Sequence, residues 1–299
     1  MCKRFLVFIS SCLVGLSLAF PVLAARFYFD PAQQNLSIDQ SFEVKVRFDA
    51  GHDEINALQG RVVFPTDTFV LEDIRDGNSI ITFWVDRPEQ TAVNASSSVG
   101  GISFSGIIPG GYQDHDGLIF TLRFRAQKKT TGKIDIQDAR ALLHDGLGTE
   151  AALEVTPLSY EVFPAGTVPP PVIPVLHDTD PPEPFIPTIV RDPSLFDGKW
   201  SLIFAAQDKG TGIDHYEVKE AGYGERGSFQ SAASPYLLHD QWLMSRIYVK
   251  AIDKAGNSRL AYLPPTHQVL ALLPYLFLTI FGIIIIALIL WRFFLGKKK

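Results

Sequence analysis

Apolar and polar residues alternate in short runs along most of this chain, with a period of two. Phe42-Glu-Val-Lys-Val-Arg-Phe48 places Phe42, Val44, Val46 and Phe48 on one face and charged residues on the other, as in a half-buried strand. Leu118-Ile-Phe-Thr-Leu-Arg-Phe-Arg125 repeats the pattern with Leu118, Phe120, Leu122 and Phe124. Ile102-Ser-Phe-Ser-Gly106, Lys133-Ile-Asp-Ile136 and Leu153-Glu-Val155 are shorter runs of the same kind. Turn-forming clusters separate them: Asp76-Gly-Asn, Gly100-Gly, Pro109-Gly-Gly and Asp114-His-Asp-Gly117. The last has acidic residues two apart but lacks the further ligand positions of a calcium loop, and it reads as a hairpin turn. The pattern predicts an antiparallel β-sandwich of roughly nine strands over residues 25–164.

The alternation stops at Pro164. Nine prolines fall between Pro164 and Pro187, which favours an extended polyproline spacer, and 165–187 is assigned as a linker. It resumes over 188–265 with Trp200-Ser-Leu-Ile-Phe-Ala205, Asp214-His-Tyr-Glu-Val-Lys219 and Arg246-Ile-Tyr-Val-Lys-Ala-Ile252. Asp208-Lys-Gly-Thr-Gly212 and Asp253-Lys-Ala-Gly-Asn257 are turn clusters there. A second, smaller sandwich is expected, with Trp200 and Trp242 in or near its core. Asp178 and Asp180 at its entry read as the end of the linker, with a shared interdomain calcium as the sharper alternative.

Both ends are apolar without a period of two. Lys3 and Arg4 precede an apolar run from Phe5 to Leu18, with a small-residue cleavage site after Ala24, so residues 1–24 read as a signal peptide. Residues 269–291 carry no charge and as a helix would reach roughly 34 Å, enough to span a bilayer. Tyr275 and Trp291 fall where interfacial aromatics belong, and the basic tail 292–299 follows, which the positive-inside rule places in the cytoplasm. The expected location is the cytoplasmic membrane, single-pass, with the domains outside or on the cell surface.

Charge and chemistry narrow the function. Setting aside Lys3, Arg4 and the four basic tail residues leaves 21 Lys+Arg against 32 Asp+Glu, a net charge of −11. So acidic a surface makes nucleic acid a poor partner. Both cysteines, Cys2 and Cys12, lie in the signal segment, so the mature chain has no disulfide framework and no cysteine metal site. The seven histidines show no metal-binding spacing, and nucleophile elbows and phosphate loops are missing. The reading is of a non-enzyme with no catalytic residues, no assigned metal ligands and no cofactor, calcium remaining open and unproven.

The order of features in the first domain resembles the cohesin domains of bacterial cellulosome scaffolds and surface proteins. The resemblance is carried by the opening Phe-Tyr-Phe-Asp-Pro31, the Phe42–Phe48 strand and Ile55-Asn-Ala-Leu-Gln-Gly-Arg-Val-Val-Phe-Pro-Thr66. Gly100-Gly-Ile-Ser-Phe104, Gly117–Phe124 and Ala141-Leu-Leu-His-Asp-Gly-Leu-Gly148 complete it. Phe64-Pro65-Thr66 departs from the family's Tyr-Asp-Pro at that place. The second domain, with Asp178-Thr-Asp-Pro-Pro182, Gly210-Thr-Gly-Ile-Asp-His-Tyr-Glu-Val218 and Tyr248-Val-Lys-Ala-Ile-Asp-Lys-Ala-Gly-Asn257, resembles a bacterial Ig-like or fibronectin type III repeat.

The resemblances imply an all-β chain, a jelly-roll, cohesin-like sandwich plus a smaller Ig-like sandwich, to which the apolar run 269–291 adds one C-terminal transmembrane helix. They also imply a protein partner, dockerin-like, held on one sheet face. Strand alternation turns Gln59, Arg61, Val63, Ser103, Ser105 and Ile107 outward on that face, with Val63 and Ile107 forming a small sticky patch. Two other functions remain open. A polysaccharide-binding module would use exposed aromatics, for which Trp84 and Tyr112 are the candidates. A structural component of the envelope would need no single ligand.

Overall fold

Eleven strands build the first sandwich. In the computed structural model, residues 24–91, 98–173, 177–222, 227–266 and 268–295 are described, the last stretch with side chains over 275–290 only. The strands are β1 (Ala25–Asp30), β2 (Gln33–Ser37), β3 (Ser41–Asp49), β4 (Ile55–Pro65), β5 (Phe69–Arg75) and β6 (Phe83–Thr91). They continue as β7 (Val99–Tyr112), β8 (Gly117–Ala126), β9 (Thr130–Leu143), β10 (Leu153–Thr156) and β11 (Leu158–Phe163). One sheet has the order β10-β1-β3-β8-β5 and the other β2-β11-β9-β4-β7-β6.

Proline accounts for eleven strands where nine were expected. Pro31 separates β1 from β2 and Pro157 separates β10 from β11, and in each case the chain passes from one sheet to the other. A proline has no N–H for the ladder, so it falls where a strand leaves its sheet. β7 and β8 also lie in different sheets. The segment containing Asp114–Asp116 is therefore a crossover between sheets, where a hairpin turn was expected.

The core lies between the sheets and is unusually aromatic. Phe42, Val44, Val46 and Phe48 are all fully buried, as their alternation predicts. In β8 the parity breaks. Phe120, Leu122 and Phe124 are buried, but Leu118 is only partly buried and Ile119 is fully buried in its place. The register against β3 shifts between Val46 and Arg47, the sign of a bulge, which moves every residue before it to the opposite face. Ring pairs knit the two layers: Phe27–Phe104 at 5.9 Å between centroids, Phe104–Phe120 at 5.1 Å, Phe64–Phe124 at 4.9 Å and Phe69–Tyr160 at 4.8 Å.

A second core has its own two sheets. β12 (Thr188–Arg191), β13 (Trp200–Ile203) and β16 (Tyr236–Leu237) form one; β15 (Gln230–Ala232), β14 (Ile213–Ala221), β17 (Arg246–Asp253) and β18 (Ser258–Leu263) form the other. Leu202, Phe204, Tyr216, Val218, Leu238, Ile247 and Val249 fill the space between them. Trp200 packs at the edge of this cluster, but Trp242 is 76% exposed in the loop before β17, contrary to expectation. Asp240 accepts the N–H groups of Trp242, Met244 and Ser245, so the loop closes on a carboxylate instead of on the indole.

The proline-rich linker does not stand free. Its start is tied to the first sandwich, where Val168 N–H donates to Ser37 Oγ at 2.7 Å and Gln40 Nε2 donates to Val168 O at 2.6 Å. Its end is tied to the second, where Arg259 Nε donates to Pro182 O at 2.8 Å and Glu183 N–H donates to Gln207 O at 2.8 Å.

The C-terminal segment corrects the sequence reading. Helix α1 runs Gln268–Leu295, and its described side chains, Tyr275–Leu290, are nearly all exposed. No helix among the described residues is long and apolar enough to cross a membrane. The transmembrane helix assigned to 269–291 is thus not supported, nor are the single-pass location in the cytoplasmic membrane and the membrane as a partner. The signal segment lies outside the described residues apart from Ala24, as do the last four residues of the tail.

Candidate functional site

The outer face of β9-β4-β7-β6 carries all six residues singled out for partner binding. Strict alternation sets it up: Leu58, Val62 and Phe64 of β4 and Ile102 and Phe104 of β7 are buried, so their neighbours turn outward. Gln59 and Ile107 are exposed, and Arg61, Val63, Ser103 and Ser105 are partly so. The antiparallel register aligns them in rows. Arg140, Gln59, Ser105 and Asp86 share one row; Gln137, Arg61, Ser103 and Glu89 share the next.

This register separates two residues the sequence reading brought together. Val63 pairs with Gly101, while Ile107 pairs with Ala57. Val63 and Ala57 are six positions apart on β4, roughly 20 Å at ~3.4 Å per residue, so Val63 and Ile107 do not form one patch. Apolar side chains gather around Ile107 instead, with Ala57 on one side and Phe83 on the other. Val85, 60% exposed, follows on the same strand as Phe83.

Polar groups on the face are sparsely paired. Arg61 meets Asp138 at 2.8 Å and donates to Gln137 Oε1 at 3.5 Å, Arg140 pairs with Glu150, and Ser105 donates to Asp86 at 3.0 Å. Asp138 has a φ of 52° and sits at an irregularity of β9, which carries its carboxylate to Arg61. The outer face of the five-stranded sheet is different. Arg47 pairs with Asp30 and Asp116, Arg75 with Glu43 and Asp73, and Arg123 and Arg125 both with Glu72. Covering that sheet would mean dehydrating a dense charge network. Covering β9-β4-β7-β6 would not.

Trp84 and Tyr112, the aromatics a polysaccharide surface would use, pack against the core instead. The Tyr112 ring lies 6.3 Å from that of Phe48, and burial pushes its phenol up to about 12. The two make no flat aromatic row.

Where the sandwiches meet, Arg87 of β6 reaches into the second one. Its Nη1 donates to Asp76 Oδ2 at 3.1 Å and to Ile213 O at 2.9 Å, and its Nη2 to Tyr216 Oη at 3.4 Å. Asn78 adds two bonds, its N–H to Asp208 O at 3.0 Å and its Nδ2 to Lys209 O at 2.7 Å. Lys254 Nζ donates to Ile74 O. A cleft of about 150 Å³ remains at this seam, lined among others by Asp76, Trp84, Arg87 and Asp208.

Beside the seam, one carboxylate each from Asp178, Asp208 and Asp253 come within 4.8 Å of one another. They are the group among the described residues whose acidic oxygens are close enough to share a cation. The sequence reading paired Asp178 with Asp180; the fold brings it Asp208 and Asp253 instead, from the two Asp-led turn clusters. Each cluster folds on its own aspartate. Gly210 and Gly212 donate N–H groups to Asp208 Oδ2 at 2.9 and 2.8 Å, and Asn257 donates N–H and Nδ2 to the two oxygens of Asp253. Thr211 donates N–H and Oγ1 to Asp178 Oδ2, both at 2.7 Å. Burial, then the neighbouring charges of Asp178 and Asp253, hold the Asp208 carboxyl above the usual range against the pull of the two glycine N–H groups.

No protein-family model matches the chain, and no curated protein matches it. Among solved structures it is similar to a non-cellulosomal cohesin from Archaeoglobus fulgidus, at 11% identity and a TM-score of 0.34 over 48% of this chain and 92% of that one. A cohesin in a type I cohesin–dockerin complex from Clostridium thermocellum is similar at 12% identity and a TM-score of 0.35, over 46% and 93%. The seventh ScaB type I cohesin from Pseudobacteroides cellulosolvens is similar at 16% and 0.33, over 52% and 99%. The β-sandwich itself rests on the strand order and core described above.

Proposed function

We propose that this chain is a non-catalytic protein-recognition module whose partner docks on the outer face of β9-β4-β7-β6. The observation that carries the reading is the contrast between the two outer faces. One sheet is covered by mutually paired charges, while the other presents Gln59, Arg61, Ser103 and Ser105 in register with few partners and an apolar point at Ile107. Such a surface offers hydrogen-bonding groups and an apolar anchor at low dehydration cost, the composition of a recognition face. The partner class is the one the sequence resemblance implies, a dockerin-like module. The second sandwich, read as an Ig-like spacer, supports β6 through Arg87.

The test is capture of purified dockerin modules by the immobilised full chain. Capture is expected, with a loss of at least about tenfold in Ser103→Arg and Ile107→Glu, since a buried misplaced charge costs more than 1.4 kcal/mol. Glu43→Gln on the opposite sheet is expected to bind like the parent. Capture that survives both face variants, or fails in Glu43→Gln alone, would overturn the assignment of the face. Retention of polysaccharide with no dockerin would overturn the partner class.

A further inference from the structure

The cluster of Asp178, Asp208 and Asp253 carries more negative charge than the protein around it neutralises. Asp208 is 5% exposed and Asp253 1%. Among the described residues none of the three takes part in an ion pair. The lysines beside them in sequence are turned elsewhere: Lys209 to Glu183 at 3.0 Å, and Lys254 to Ile74 O with Asp73 at 4.0 Å. Buried carboxylates this close repel one another, and a buried charge without a counter-ion is costly.

A fourth carboxylate, from the other sandwich, faces the same loop. The Asp76 side chain is only 8% exposed; its Oδ2 is held by Arg87, and its Oδ1 is buried without a hydrogen-bond partner. That free oxygen is turned on to Gly212, where a Cβ would collide with it, and the Gly212 N–H is bound to Asp208. On the other side of the loop, a Cβ at Gly210 would collide with the Asp178 carboxylate. Both glycines leave the space that carboxylates occupy.

We propose that Asp178, Asp208 and Asp253 bind one divalent cation of the calcium type, with Asp76 facing the liganding loop from the first sandwich. The donor set is all oxygen and rich in carboxylate, which suits a hard cation, and its irregular arrangement suits calcium better than the strict octahedron of magnesium. The ligands come from the linker, the loop after β13 and the end of β17. One ion therefore fastens three segments, and it steadies the loop whose Asp208 and Lys209 carbonyls accept the bonds of Asn78. This site is separate from the recognition face and stands whether or not a dockerin-like partner is found.

The test uses the full chain, stripped with chelator and then titrated with calcium chloride, followed by calorimetry and thermal unfolding. The expected result is one calcium per chain and a rise in melting temperature of about 5 °C at a hundredfold excess over Kd, with a smaller rise for magnesium. Asp208→Asn is expected to raise the melting temperature in chelator, because it removes repulsion, and to abolish the calcium shift. A purely structural role would lower the melting temperature in both conditions. Should Asp208→Asn fail to fold, Asp178→Asn on the linker decides, with an expected affinity loss of at least about tenfold. A folded, stripped chain that shows neither heat nor shift up to about 10 mM calcium would overturn the proposal. So would parent-like calcium binding in Asp178→Asn.

Discussion

At the scale of the residue, the aromatic side chains between the two sheets do most to hold the first sandwich. Phe120 is fully buried and its ring lies 5.1 Å from that of Phe104, which in turn lies 5.9 Å from Phe27. Phe120→Ala therefore loses buried area, ring contacts and a filled space together, a cost of about 3–5 kcal/mol. Urea unfolding of the variant measures it; a loss below about 1 kcal/mol would mean that the core closes over the gap. A second prediction concerns pH. Burial, then hydrogen bonding to Asp116, pushes the Tyr28 phenol up to about 12, and burial pushes Tyr112 and Tyr236 to about 12 as well. The neutral phenol is thus the form the fold prefers. Its contribution is complete below the ordinary value of 10.0 and is lost as pH rises from there towards 12. In an absorbance titration a late tyrosinate step is expected, reduced in Tyr28→Phe. A single step near 10 would contradict it.

At the scale of the element, the decisive features are parity and close approach. β4 and β7 keep a strict alternation over the stretch that carries Gln59, Arg61, Val63, Ser103, Ser105 and Ile107, so six outward residues could be named from sequence. In β8 a bulge beside Leu118 defeats the same reasoning, because one extra residue exchanges inside for outside. Gly60, in the middle of β4, shows the cost of close approach. A Cβ there would lie 3.0 Å from both Ile136 Cγ2 and Phe104 Cζ. Gly60→Ala is expected to destabilise by about 1–3 kcal/mol through overpacking, measurable in the same unfolding experiment. An unchanged midpoint would mean that Phe104 yields without strain.

At the scale of the whole molecule, the two sandwiches act on each other through a narrow polar seam. Arg87 joins Asp76, the Ile213 carbonyl and Tyr216, and its guanidinium lies 5.8 Å from the Tyr216 ring centroid. Charge-assisted bonds of this kind contribute about 1.5–3 kcal/mol each to a closed state. Arg87→Ala also leaves Asp76 with no cation. The sandwiches should then separate more often, and protease cleavage in the linker should rise about tenfold for each 1.4 kcal/mol lost. An unchanged cleavage rate would show that Asn78 and Lys254 hold the seam without Arg87.

Local chemistry along the chain determined a good deal by itself. The period of two sets which face of β3, β4, β7 and much of β8 is buried, because successive side chains of a strand must point to opposite sides. Turn clusters and the proline run mark where strands cannot continue. Only the tertiary structure decided which strands lie side by side, and hence that Ile107 faces Ala57 while Val63 faces Gly101. It also decided that Trp242 stays in solvent and that the linker is tied to both sandwiches. The meeting of Asp178, Asp208 and Asp253 was its decision as well. Each of these depends on residues far apart in sequence, brought together by sheet register and core packing, and no local pattern encodes such distances.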